Sequence, residues 1–140
     1  MSTPFNQQIF LNLPVQDLEK SKAFYTALGY TVNAQFTNEQ AACIVVSEQI
    51  FVMLLVKEFF QTFTKKPLSD AKKSTEVLVA LSCESRAAVE DQVAKALAAG
   101  GATPVEAKDY GFMYQHGYED PDGHQWEVFY MDMSAAPAQA

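Results

Sequence analysis

A chain of 140 residues that is 49% apolar can bury a globular core and does not have the composition of a disordered protein. Its formal charge of -7 argues against nucleic acid as a partner, because backbone phosphates would be repelled rather than neutralised. The longest apolar run, residues 50–56, is too short to cross a bilayer, and the start MSTPFNQQ lacks the basic flank and apolar stretch of a signal peptide, so a cytoplasmic protein is expected.

Ile9 to Val15 is β-rich and ends at Gln16-Asp17. Leu18, Phe24, Tyr25 and Leu28 then recur at helical spacing, with Asp17 as N-cap and Gly29 as the residue beyond the C-cap. Three strand-like runs follow at 30–36, 41–46 and 50–56, separated by polar groups. Residues 57–75 carry Lys57, Lys65, Lys66, Lys72 and Lys73 against only Glu58 and Asp70, so this segment is +3 and the remainder -10. Its Phe59-Phe60-Phe63 cluster predicts a short amphipathic helix packed on a sheet, with a lid or a dimer contact as alternatives, and Pro67 opens a linker.

The pattern then begins again. Residues 77–83 predict a strand, Ser85 an N-cap, and Val89, Val93, Ala96 and Leu97 a helical stripe that stops at Gly100-Gly101. Strands are expected at 103–107, 112–118 and 125–131. Landmarks keep step across the repeat: Val15 corresponds to Cys83, Gly29 to Gly101 and Val52 to Glu127, at offsets of 68, 72 and 75. The fold class is therefore α+β: two βαβββ modules in tandem, 8–56 and 76–132, joined by the Lys-rich linker 57–75 within one domain, 1–140. Two curved sheets with opposed concave faces would leave a cup suited to a small ligand, a cupped and partly open mixed-sheet barrel. The tail, residues 133–140, has no anchoring pattern and is expected to be disordered. Cys43 and Cys83 lie in apolar runs without CxxC spacing, as small buried residues do.

The run LPVQDLEKSKAFYTALGY (residues 13–30), followed about a hundred residues later by DPDGHQWEV (120–128), resembles the vicinal oxygen chelate superfamily. That superfamily includes glyoxalase I, extradiol dioxygenases, fosfomycin resistance enzymes and bleomycin resistance proteins. The resemblance spans residues 8–132 and implies a homodimer. It does not by itself imply an activity, because the fold hosts unrelated chemistries. In the metal-using members a divalent ion is held by one residue from the first strand and one from the last strand of each module. The corresponding first-strand residues here are Phe10 and Leu78, and neither can ligate a metal. The last-strand positions hold Glu127 and, depending on register, Val52 or Met53. A lone carboxylate does not hold an ion that needs three or four donors, so no metal cofactor is expected, with a divalent metal as the alternative.

Glu127 is then either a carboxylate facing the cup, able to act as a catalytic base or to pair with a cationic ligand, or one tied to neighbouring donors. Phe112, Tyr114, His116 and Tyr118 share a face by strand alternation. Pointing inward they would form an aromatic ligand wall; pointing outward they would pack on a helix, the more usual fate of such a stripe. His124 follows Gly123 in the turn and is expected in solvent. Asn12 and Gln8 share the face of Phe10 and would offer the cup amides. A replacement metal set of Gln8, Asn12, His116 and Glu127 would rest on weak amide ligands.

The expected ligand-binding residues are thus Phe10, Asn12, Val52, Leu78, Tyr114, His116 and Glu127, with Glu127 the catalytic candidate. The first functional expectation is a metal-free binder of a small organic molecule, cationic or aromatic, similar to the bleomycin resistance proteins. The rivals are a metal-dependent lyase, isomerase or dioxygenase of the glyoxalase I type, and an interaction module whose cup is filled by side chains. No GxGxxG, P-loop, GxSxG or zinc-finger spacing supports nucleotide binding or serine hydrolysis.

Overall fold

The apolar runs at 9–15 and 50–56 form the two central strands of the first sheet. The computed structural model describes residues 4–135, and the chain divides into two compact units, residues 1–69 and 70–140. In the first unit, β1 (Ile9–Val15) is followed by α1 (Leu18–Ala27), β2 (Thr31–Asn33), β3 (Ala41–Val45) and β4 (Ile50–Val56). The strands are ordered β1-β4-β3-β2, with β1 parallel to β4 and the others antiparallel.

Asp17 caps α1 by accepting from the Lys20 amide, and Gly29 beyond its end adopts φ 103°. One face of the sheet meets α1 and buries Leu13, Val15, Ile44, Val52 and Leu54 with Phe24 and Tyr25. Full burial of side chains this size is worth about 1.5–3 kcal/mol each, which makes this layer the main stabiliser of the unit. A short helix, α2 (Lys57–Phe60), and a 3-10 turn at Gln61–Phe63 close it. The Phe59 and Phe63 rings meet edge to face at 5.2 Å, and α2 packs against β1 and β4, the linker-helix expectation.

The second unit repeats the order with β5 (Val79–Ser82), α3 (Arg86–Ala98), β6 (Lys108–Asp109), β7 (Met113–Glu119) and β8 (Gln125–Met131). Its sheet is ordered β5-β8-β7-β6, again with one parallel pair, β5 with β8. Ser85 caps α3 through the Ala88 amide, and Val89, Val93 and Ala96 bury its stripe. Both units are thus α+β with a four-stranded mixed sheet, and neither sheet closes into a barrel.

Four expectations need correction. The strand expected over 30–36 stops at Asn33, whose side chain accepts from the Gln35 amide and turns the chain into a 3-10 turn at Ala34–Phe36. No strand forms over 103–107, where Pro104 has no amide to donate; only Ala102 bridges to Glu119. Val77 and Leu78 stay outside β5 and are exposed, because the partner strand β8 begins only after the turn at Gly123. Leu97 is 48% exposed and off the buried stripe. Of the tail expected to be disordered, residues 133–135 form a turn on Asp132, which accepts from the Ser134 amide and hydroxyl; residues 136–140 lie outside those described.

At the edge of the second sheet, Arg86 grips Asp109 through two bonds of 2.8 and 3.0 Å and lies 5.2 Å from the Tyr114 ring centre. The Arg86 hydrogen bonds, helped by the Gly111 amide, lower the Asp109 carboxyl from 3.8 to about 2. A depressed carboxyl stabilises the fold above its unfolded value and loses that contribution as the pH falls toward 2. In Arg86→Ala, a carbon-detected NMR titration is expected to show Asp109 moving up toward 3.8. Stability near neutral pH changes little, since both side chains are exposed.

Candidate functional site

The cross-strand register of the second sheet sorts its residues onto two faces. Trp126 and Val128 on β8 and Tyr118 on β7 are buried, on the side of the sheet that α3 covers. Alternation places Gln125, Glu127 and Phe129 on the opposite face, together with Gln115, Gly117 and Ala80. Glu127 is flanked in its row by Ala80 and Gly117, the two smallest choices available. Beside it lies a cavity of ≈ 260 Å³.

The Glu127 carboxylate is not bare. Gln115, one pair further along β7, donates its Nε2 to Glu127 Oε2 at 2.8 Å. The apolar part of the cavity wall comes from Leu78, Pro104 and Val105, and Glu106 and Lys108 stand at the rim. Gly117 is there by necessity, since a Cβ would lie 2.7 Å from the Trp126 carbonyl oxygen. The turn that launches β8 is a separate device. Asp120, 4% exposed, accepts from the amides of Asp122 and His124, and its carbonyl accepts from Gly123. The DPDG stretch therefore shapes the chain so that Glu127 reaches this face.

Of the residues selected from sequence, Leu78, His116 and Glu127 are among those that line the cavity. His116 alternates onto the α3 side of β7, and its Nδ1 accepts from the Gly117 amide at 2.8 Å. Tyr114 is not part of the cavity wall. Its hydroxyl donates to Glu90 on α3 at 3.1 Å, and burial followed by that bond raises its pKa. The aromatic stripe of β7 therefore packs on the helix, which corrects the ligand-wall placement of Tyr114.

Val52 is corrected as well. It is fully buried against α1, on the face equivalent to that of Trp126 and Val128, and the residue matching Glu127 is Met53. Leu55 pairs with Pro14 as Phe129 pairs with Ser82, and Met53 and Glu127 each lie two residues earlier. The helix-end glycine matching Gly29 is Gly100, φ 99°, rather than Gly101.

In the first unit, Phe10 stacks on Phe51 with ring centres 4.6 Å apart, and Asn12 donates to the Phe10 carbonyl at 3.3 Å. Gln8 donates to the Glu48 carbonyl at 3.2 Å. Phe10 and Asn12 thus lie together on the face of the first sheet away from α1. Sequence reasoning missed Gln115, Gly117, Glu106 and Lys108. The signal for Gln115 was its place in the less aromatic alternate set of β7, two residues before a glycine.

The metal positions shared by metal-using relatives are held here by Phe10, Met53, Leu78 and Glu127. Of these four only Glu127 carries a donor, and its carboxylate already accepts from Gln115, so neither unit by itself offers the donors that a divalent ion needs. Among the described residues no group of three or more His, Cys, Asp or Glu side chains gathers to supply another donor set. No helix of the described residues is long and apolar enough to cross a membrane.

The Bleomycin resistance protein-like N-terminal family matches residues 7–47. No curated protein matches the chain. A hypothetical protein, SA1046, from S. aureus is 31% identical and superposes with a TM-score of 0.76 over 91% of this chain and 95% of its own. A glyoxalase-related enzyme from Fulvimarina pelagi is 20% identical, with a TM-score of 0.78 over 97% of this chain and 94% of its own. TnmS3, an antibiotic binding protein from Streptomyces sp. CB03234, is 19% identical, with a TM-score of 0.62 over 93% of this chain and 99% of its own.

Proposed function

From membership of the glyoxalase/bleomycin resistance group of the vicinal oxygen chelate superfamily, to which this chain belongs, we propose a cytoplasmic, homodimeric binder of a small organic molecule that works without a divalent metal. The observation that carries the reading is the combination at Glu127 in the second unit: a carboxylate held by Gln115, at a cavity with an apolar wall to which Leu78 contributes no donor. A concave, mostly apolar site with a few placed polar groups is the usual form of a small-molecule site. The fold shared with TnmS3, described as an antibiotic binding protein, is consistent with binding as the role. A glyoxalase-type lyase would need several protein donors and an open metal position, and Phe10, Met53 and Leu78 do not provide them.

Two measurements on the purified protein test this. Elemental analysis after incubation with zinc, nickel, manganese and iron is expected to find well under one equivalent bound, with no rise in melting temperature. A stoichiometric metal would move the lyase reading to first place. A thermal-shift screen of cationic and aromatic small molecules is expected to yield ligands whose stabilisation falls in Glu127→Gln and is lost in Glu127→Ala. Equal shifts in the parent and both variants would remove Glu127 from the site.

A further inference from the structure

We infer that Gln115 and Glu127 form an acceptor pair that selects a ligand head group rich in N–H donors, an ammonium or amidinium, over a carboxylate. The inference rests on the reading of this cavity as a ligand site and names the class of ligand it takes.

An ionised carboxylate only accepts hydrogen bonds, so the 2.8 Å contact obliges Gln115 to present its NH2 to Glu127 Oε2. That choice fixes the amide the other way round as well: its carbonyl oxygen is left as an acceptor, as is the second carboxylate oxygen. Apart from one remaining Gln115 N–H, the pair offers an incoming group only acceptors. A carboxylate or phosphate would meet lone pairs and a like charge, whereas an amidinium would meet two acceptors and an opposite charge. Space for the head group exists because Ala80 and Gly117 flank Glu127, and nothing larger than glycine fits at 117 without displacing the Trp126 carbonyl.

The rim does not reverse the sign. Lys108 neighbours Gln115 across the sheet, and Glu106 on the same wall offsets it, so the formal charge of Glu106, Lys108 and Glu127 together is -1. Leu78 and Val105 line the same cavity yet are 55% and 51% exposed, apolar surface suited to the body of such a ligand.

The test is an NMR titration of the intact, isotope-labelled protein with benzamidine, benzoate and benzyl alcohol, which share a ring and differ in head group. Benzamidinium is expected to shift the Gln115 side-chain NH2 and the Gly117 and Glu127 amides, binding at least about tenfold more tightly than benzoate. Glu127→Gln and Gln115→Leu should each cut that preference to below about threefold, while amide spectra away from the site certify the fold. Lys108→Gln should strengthen benzamidinium binding. Benzoate or the alcohol binding here as well as benzamidinium, or the preference surviving both variants, would overturn the acceptor pair and leave the cavity as a ligand site. No binding by any of the three would overturn both.

Discussion

Gly123→Ala is expected to destabilise the protein by about 2–5 kcal/mol, through backbone strain and a clash with backbone atoms. Gly123 has φ 91°, a region that L side chains rarely adopt, and its amide closes the turn on the Asp120 carbonyl at 3.0 Å. Strain alone would cost about 1–2 kcal/mol. The added Cβ would also fall 2.9 Å from the Lys72 amide nitrogen and 3.0 Å from the Ala71 carbonyl carbon, both backbone atoms that cannot swing aside. Overpacking of that kind adds about 1–3 kcal/mol. Urea unfolding of Gly123→Ala and Gly123→Asn separates the two causes. Asparagine tolerates positive φ better than alanine but carries the same Cβ, so it should recover part of the loss and not all of it. A loss below about 0.5 kcal/mol in both variants would mean that the segment at Ala71-Lys72 yields freely and the turn is not packed as described.

The elements that were legible in the sequence are those in which one local force dominates. The runs 9–15, 50–56 and 125–131 are strands with the bounds expected, because each is an apolar stretch between polar turns. Asp17 and Ser85 cap as expected, because an oxygen at that position has an orphan amide to satisfy. The repeat was legible as well, from its order of elements.

The failures share another cause: the deciding partner is far away in sequence. Residues 103–107 look apolar enough for a strand, but Pro104 cannot complete a ladder and only Ala102 finds one, on Glu119. Val77 and Leu78 look like strand residues and are left without a partner by the start of β8. At the site, Glu127 stood out as a charge in an apolar run, and its neighbour Leu78 followed from the resemblance. Whether Tyr114 and His116 or Gln115 and Gly117 share its face depends on which side of β7 the helix covers. Alternation creates that choice and does not resolve it. The Val52 error is of the same kind, since one residue of register moves a side chain to the other face.

Trp126→Ala should be the most damaging single truncation in the second unit, at about 3–5 kcal/mol. Trp126 is 2% exposed and pairs with Val79 on one side and Tyr118 on the other, in the centre of the sheet and on its α3 face. Its removal takes the largest apolar surface from that layer and leaves a cavity among strands that a backbone ladder keeps from closing in. Phe129, on the opposite face and only partly buried, is the internal control, and its truncation should cost clearly less. Hydrogen exchange locates the damage: the amides of β7 and β8 should lose protection together in Trp126→Ala, while those of β1 and β4 keep theirs. Since the Trp126 side chain lies on the α3 face and Glu127 on the other, Trp126→Phe should retain most of the stability and leave ligand binding at the cavity as in the parent. A Trp126→Phe variant that keeps its stability yet binds a cavity ligand several-fold more weakly would show that the indole serves the cavity as well as the core.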